Sequence, residues 1–248
     1  MTWVLDLDGV VWLAEQPIAG ASEAVARLRA AGRRVLFATN NSAVRVGEQE
    51  AKLARHGIDA RGDVVTSAMA AARLVEPGER VLVCGGPGVV EAVAARGAVA
   101  VRDGEADAVM VGFDLGFDYE RLRLAARAVD RGARLIATND DATYPTPDGP
   151  IPGGGALVAA VAYATGATPT VAGKPHPPMA ALVRALGGAE GTMVGDRPAT
   201  DGAFARELGY RFALVLTGVT GASDLPVTPA PDVVADSLAD LVAREHPQ

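Results

Sequence analysis

The segment WVLDLDGVVW, residues 3–12, runs an apolar strand into two aspartates and a glycine. The apolar run Trp3, Val4 and Leu5, continued by Leu7, predicts a strand over 3–7 that carries Asp6 and Asp8 at its end. Residues two apart point to the same face of a strand, so the two carboxylates would crowd together. Crowding raises one of the two pKa values unless a cation intervenes. An isolated Asp-x-Asp-Gly can also simply begin a turn, and this segment alone does not choose between the two.

Moving outward, short β-branched and Leu-rich runs alternate with Ala-rich stretches along the whole chain. Further strands are expected at 33–38, 80–84, 107–112, 133–137, 191–195 and 211–216. Helices are expected at 22–31, 45–56, 67–75, 88–96, 119–131, 154–165, 178–186, 199–208 and 236–244. Such alternation predicts an α/β protein with a mainly parallel sheet. Ligands of these sheets bind beyond the carboxyl ends of the strands, so the loops after strands are where chemistry belongs.

The chain has 248 residues, 49% of them hydrophobic and 21% charged, which is a globular composition able to bury a sizeable core. With aromatics at 4%, that core must be built from Ala, Val and Leu. A net charge of -7 gives no electrostatic basis for binding nucleic acid or an anionic membrane, and any phosphate site needs its own local cation. Cys84 is the one cysteine and reads as a small apolar residue ending a strand. No run reaches roughly 18 apolar residues and no signal-peptide pattern opens the chain, so a cytoplasmic location is expected.

Other strand ends supply company for Asp6 and Asp8. MVGDRPATDGA, residues 193–203, follows an apolar run with Asp196 and Asp201. Four acidic groups at strand ends suit Mg²⁺, a hard ion that prefers oxygen ligands. Thr39 and Asn40 follow RVLFA and offer a hydroxyl and backbone N–H groups, while Lys174 in TVAGKPHP offers a fixed positive charge. Each alone is an ordinary cap, turn or solvated residue. Together they provide a nucleophile, an acid/base, a hydroxyl, a cation and a metal cage.

The order and wording of these motifs resemble the haloacid dehalogenase-like superfamily of phosphatases, most closely subclass IIA, the NagD-like or p-nitrophenyl-phosphatase-like group. DLDGVV, ATNNS, ATNDDATYP, PGGGALVAAV, GKP, GDR…TD and LVLTGVT carry the resemblance across nearly the whole chain. It implies a Rossmann-like core domain, residues 1–79 plus 169–248, with a smaller α/β cap inserted at 80–168. It implies a Mg²⁺-dependent phosphatase of small phosphorylated metabolites, among which glycerol phosphate, sugar phosphates, nucleoside monophosphates and pyridoxal phosphate all fit. Asp6 would attack phosphorus, and Asp8 would protonate the leaving oxygen and then activate water. Asp6, Asp196 and the backbone carbonyl of Asp8 would hold the metal, with Asp201 supporting its waters or orienting Lys174. Gly9, Thr39, Asn40 and Lys174 would bind the phosphoryl oxygens. The oligomeric state stays open, with cap-mediated dimers among similar proteins making a homodimer one of the arrangements. A phosphotransferase using the same intermediate, or a phospho-aspartate receiver, stays open as an alternative, although an acid/base at Asp8 argues against a lasting receiver phosphate. Pro198 and Gly202 depart from the family pattern, and Gly202 is expected to weaken the helix over 199–208.

One echo crosses the chain: GRRVLFATNNSAVR at 32–45 returns as GARLIATNDDATYP at 132–145. A duplicated phosphate site, a structural loop and a loop that meets the substrate are the three readings. No second Asp-x-Asp-Gly-Val precedes the later copy, which argues against duplication. The resemblance implies a specificity loop over 140–147, with Asp141, Thr143 and Tyr144 as contacts. His56 and His246 read as surface residues, and His176 lies close enough to Lys174 in sequence to touch the site.

Overall fold

The structure is a computed structural model that describes residues 1–13, 16–146 and 148–246. Pro147 of the expected 140–147 loop and the last two residues of the expected core domain lie outside the described residues. In chain order the elements begin with β1 (Thr2–Leu5), β2 (Trp12–Leu13), β3 (Gln16–Pro17), α1 (Ala21–Ala30), β4 (Arg34–Thr39), α2 (Val46–Arg55), β5 (Val64–Thr66) and α3 (Ser67–Ala72). There follow β6 (Arg80–Cys84), α4 (Pro87–Ala95), β7 (Val99–Val101), β8 (Ala108–Val111), α5 (Tyr119–Asp130), β9 (Arg134–Ala137), β10 (Thr143–Tyr144), β11 (Ile151–Pro152) and α6 (Gly154–Thr165). The chain ends through β12 (Thr170–Val171), α7 (Pro177–Gly187), β13 (Gly191–Gly195), a π-helical turn (Pro198–Gly202), α8 (Ala203–Leu208), β14 (Arg211–Val215), a 3₁₀ turn (Ala222–Asp224), β15 (Val233–Ala235) and α9 (Leu238–Glu245).

Two compact units result, one of Met1–Thr39, Gly47–Val65 and Lys174–Gln248, the other of Asn40–Val46 and Thr66–Gly173. The first is built on a sheet in the order β15-β14-β13-β1-β4-β5. Here β1 lies between β13 and β4, parallel to both, with Leu5 level with Val194 and Phe37. All four residues of β1 and all five of β13 are buried, the mark of central strands covered on both faces. Helix α1 packs with α9, and α7 with α8. The helices begin and end where local chemistry allows: Pro177 opens α7, and the Ser237 hydroxyl accepts the Asp240 N–H at the start of α9.

The second unit carries a sheet in the order β12-β9-β8-β6-β7, parallel throughout. Its core is aliphatic: Leu82, Val109, Val111, Leu135, Val158 and Val161 close around Ala125 and Ala137. Cys84 belongs to this cluster, and burial pushes its thiol up to about 12, so it packs as a small apolar group.

Several expectations change. β1 stops at Leu5, so Asp6 and Asp8 lie in the loop beyond it and the same-face argument for a strand does not apply to them. The helix expected over 199–208 is a π turn followed by α8, because the Arg197 carbonyl accepts N–H groups from both Asp201 and Gly202. Gly202 is also there for space, since a Cβ at that position would lie 2.8 Å from Phe212. His56 and His246 are half-buried rather than on the surface, their rings tilted against Trp12 and Trp3.

Candidate active site

Three parallel strands of the first unit end at one edge, and their ends hold the site. Asp6 follows β1, Thr39 closes β4 and Asp196 follows β13, with the Asp6 N–H donating to the Val194 carbonyl at 2.9 Å. Thr39 is buried at that edge.

Lys174 sits among the carboxylates. Its side chain is 2% exposed, and Nζ lies 2.8 Å from Asp6 Oδ1 and 2.7 Å from Asp201 Oδ1. Burial disfavours its ammonium, yet Asp201 and Asp6 together hold its pKa above the usual lysine range. The other Asp201 oxygen accepts the Arg197 N–H at 3.1 Å. The π turn thus brings Asp201 back towards the end of β13, where Gly195 makes room: a Cβ there would stand 2.3 Å from the Asp201 carboxyl carbon.

Asp196 is held equally closely. Its Oδ2 accepts the Val219 N–H at 2.6 Å, while its Oδ1 is buried with no hydrogen-bond partner among the described residues. A buried, unpartnered carboxylate oxygen is costly unless something cationic occupies its open side. Asp6, Asp196 and Asp201 each place one oxygen within 4.8 Å of the others. Three carboxylates there face one ammonium, an excess of negative charge that a divalent ion with oxygen preference would neutralise. The donor set therefore fits Mg²⁺. Burial first, and Asp6 second, lift the Asp196 carboxyl above the usual range.

Asp8 stands slightly apart. Its Oδ1 accepts the Trp12 indole N–H at 3.0 Å. Burial and the Asp6 charge raise its pKa to about 6, against the pull of Lys52 and of the indole bond. A carboxyl raised in this way can hold a proton to deliver, which is what a general acid needs.

Glycines complete the site. Gly9 has φ +82°, its N–H donates to the Trp12 carbonyl at 2.7 Å, and a Cβ on it would stand 2.5 Å from the Asp196 carboxyl. Gly218 is tighter still, with a Cβ placed 2.0 Å from Asp196 Oδ2. Thr217 beside it donates its hydroxyl to the Gly9 carbonyl at 2.5 Å. Sequence reasoning missed Trp12, Gly195, Thr217, Gly218 and Val219 as parts of this site. The motif LVLTGVT, residues 214–220, carried a signal for three of them, and GDR, residues 195–197, for Gly195.

Other expected residues gather in the second unit. Asn40 donates from Nδ2 to Asp141 Oδ2 at 3.0 Å, and Asn41 donates to the Tyr144 hydroxyl at 3.4 Å. Tyr144 also stacks on Phe113 with centroids 4.6 Å apart. Thr143 is exposed on β10. The two halves of the sequence echo meet here: Asn139 donates to the Asn40 carbonyl at 2.8 Å, and Thr138 to the Ser42 hydroxyl at 2.9 Å. His176, by contrast, lies in the first unit, where it precedes α7 and is half-buried.

Two family descriptions match the chain, haloacid dehalogenase-like hydrolase over residues 3–99 and HAD-hydrolase-like over 171–241. An acid sugar phosphatase of Staphylococcus saprophyticus is 35% identical over 250 residues, covering 98% of this chain and 96% of that protein. The chain belongs to the haloacid dehalogenase-like hydrolases. A D-glycerol 3-phosphate phosphatase of Mycobacterium tuberculosis is 41% identical over 229 residues, 89% of this chain, which spans 64% of that longer relative. The solved glycerol phosphate phosphatase of M. tuberculosis in complex with magnesium superimposes with a TM-score of 0.90 at 38% identity, over 97% of this chain and 75% of that one. The parallel α/β fold and the enzyme class expected from the sequence, a phosphoric monoester hydrolase, are those of these relatives in the haloacid dehalogenase-like family.

Proposed function

We propose that this haloacid dehalogenase-like hydrolase removes phosphate from small phosphorylated metabolites through an aspartyl phosphate on Asp6, with Mg²⁺ as cofactor. The observation that carries the reading is the position of Asp6 between a buried Lys174 and the acidic group that contains the unpartnered Asp196 oxygen. The sugar and glycerol phosphate phosphatases related to it support esters of small polyols as substrates.

Asp6 attacks phosphorus along the line of the leaving oxygen, forming the acyl-phosphate bond as the ester P–O bond breaks. Asp8 gives its proton to that oxygen and the alcohol departs. Asp8, now a carboxylate, takes a proton from water as the water oxygen attacks the same phosphorus, and inorganic phosphate leaves with Asp6 restored. Acid/base help of this kind is worth about 10² to 10⁴ in rate. Lys174 and Thr39 bind phosphoryl oxygens, and Asp201 keeps the Lys174 ammonium in place. Asp6, Asp196 and the Asp8 carbonyl would hold Mg²⁺, which when bound supplies positive charge that offsets the repulsion between a carboxylate nucleophile and a phosphate dianion. The second unit, which contains all of 80–168, serves as the cap in this reading, and Asp141, Thr143 and Tyr144 are its specificity residues.

A panel of phosphate esters, run with Mg²⁺ and with EDTA, tests the function. Release of phosphate that EDTA abolishes is expected, and Asp6→Asn should lose turnover while keeping its melting temperature. Hydrolysis undiminished by EDTA, or retained in a verified Asp6→Asn protein, contradicts it. Tyr144→Ala should reorder preference across the panel, whereas an unchanged order counts against the cap assignment.

A further inference from the structure

Trp12 is one of the largest fully buried side chains, and its indole nitrogen is spent on a single partner, Asp8. An indole N–H is a donor only. Its bond to Asp8 Oδ1 at 3.0 Å therefore commits that oxygen to accepting, whether Asp8 is ionised or neutral. The proton that Asp8 carries in its acid form then sits on Oδ2, the oxygen left free to deliver it.

The indole is fixed from several sides. The Trp12 N–H donates to the Leu7 carbonyl at 3.2 Å, and the Trp12 carbonyl accepts the Gly9 N–H at 2.7 Å, so the backbone of residue 12 is tied to both chain neighbours of Asp8. The Lys52 ammonium lies 4.2 Å from the ring centroid, and the His56 ring packs against it at 5.9 Å. A cation over the ring face holds the indole in place and withdraws density towards itself, which strengthens the N–H as a donor. The hairpin of β2 and β3 and the helix α2 that carries Lys52 thus converge on the orientation of one carboxyl group.

We propose that Trp12 is a positioning residue that fixes which oxygen of Asp8 delivers the proton to the leaving group. The proposal rests on the assignment of Asp8 as acid/base above. A positioned acid matters in proportion to how much the leaving oxygen needs a proton. Alkoxides need one, whereas p-nitrophenolate departs without it. A residue that only supports the fold would affect both alike.

The test compares kcat/KM, which reports the steps through departure of the leaving group, for glycerol phosphate and for p-nitrophenyl phosphate. Trp12→Phe should reduce the value for glycerol phosphate about tenfold to a hundredfold, with a far smaller fall for p-nitrophenyl phosphate. Because Phe leaves space in a packed site, a second protein with 3-benzothienylalanine at position 12 keeps the shape and removes only the N–H. It should show the same split. Equal losses on the two esters, or full glycerol phosphate activity in the benzothienyl protein, overturns the proposal. Asp8→Asn, measured in parallel, separates the two layers. A leaving-group-dependent loss there with none at Trp12 sinks this inference alone, and no such loss at Asp8 sinks the acid/base assignment and this inference with it.

Discussion

Asp196 owes its position to two glycines from distant parts of the chain. Gly9 and Gly218 press on the same carboxyl group, and at Gly218 an added methyl would overlap Oδ2. Backbone lies behind the glycine and a held carboxylate lies in front, so the side chain cannot move aside cheaply. Gly218→Ala should therefore displace Asp196 and lower Mg²⁺-dependent turnover by at least about tenfold, with only a modest loss of stability. Titrating activity against Mg²⁺ checks this, and an unaltered Mg²⁺ dependence would show that Asp196 has no part in holding the ion. The motif LVLTGVT marks the segment that holds Gly218 but not its role, which is an absent side chain facing a residue 22 positions earlier. Asp6 and Asp196 stand out in the sequence because each directly follows an apolar run that becomes a central parallel strand, β1 or β13, and Lys174 because it is a lone cation shortly after another apolar run. Trp12 was hidden for the opposite reason, since its indole reads as one more apolar residue and its polar contact appears only once Asp8 is placed beside it.

Among the elements, long ones were read well and short ones poorly. The strands expected at 80–84 and 191–195 and the helix at 154–165 coincide with β6, β13 and α6. β2, β3, β10, β11 and β12 have two residues each, too few for alternation to register, and they exist because tertiary neighbours pair with them. The π turn Pro198–Gly202 was read as ordinary helix because its residues are compatible with one, and the departure comes from Asp201 bonding to Lys174 and to the Arg197 N–H. Gly202 was weighed as a defect of that helix, whereas the structure gives it a packing role. Gly202→Ala, which would raise helix propensity, should instead destabilise the protein by about 1–3 kcal/mol through overpacking against Phe212 and Pro229. Urea denaturation decides the sign, and a stabilised variant would show that the turn tolerates ordinary helix. The ATN echo is similarly sharpened. Its two copies are not independent loops, because Asn139 and Thr138 of one bond to Asn40 and Ser42 of the other.

For the molecule as a whole, the acidic site couples stability to pH and to metal. Asp8, with a pKa of about 6, and Asp196, also raised, bind protons more tightly folded than unfolded. A carboxyl raised in this way stabilises the folded state below its unfolded pKa, and that contribution is lost as pH rises through its folded pKa. Without metal, the site therefore costs the fold more at about pH 7.5 than at about pH 5, and Mg²⁺ should raise the melting temperature more at the higher pH. Thermal unfolding in EDTA and in Mg²⁺ at both pH values measures this, and an equal lift at the two would contradict the buried carboxylates as the metal's seat. The central claim is the covalent phosphate on Asp6, and trapping it is the most direct measurement. An Asp8→Asn protein mixed with p-nitrophenyl phosphate and Mg²⁺ forms the intermediate without the base that hydrolyses it. Acid quenching and borohydride reduction should then convert Asp6, identified by peptide mass spectrometry, to homoserine. Release of p-nitrophenol with Asp6 unmodified, or the label on another residue, would contradict the account.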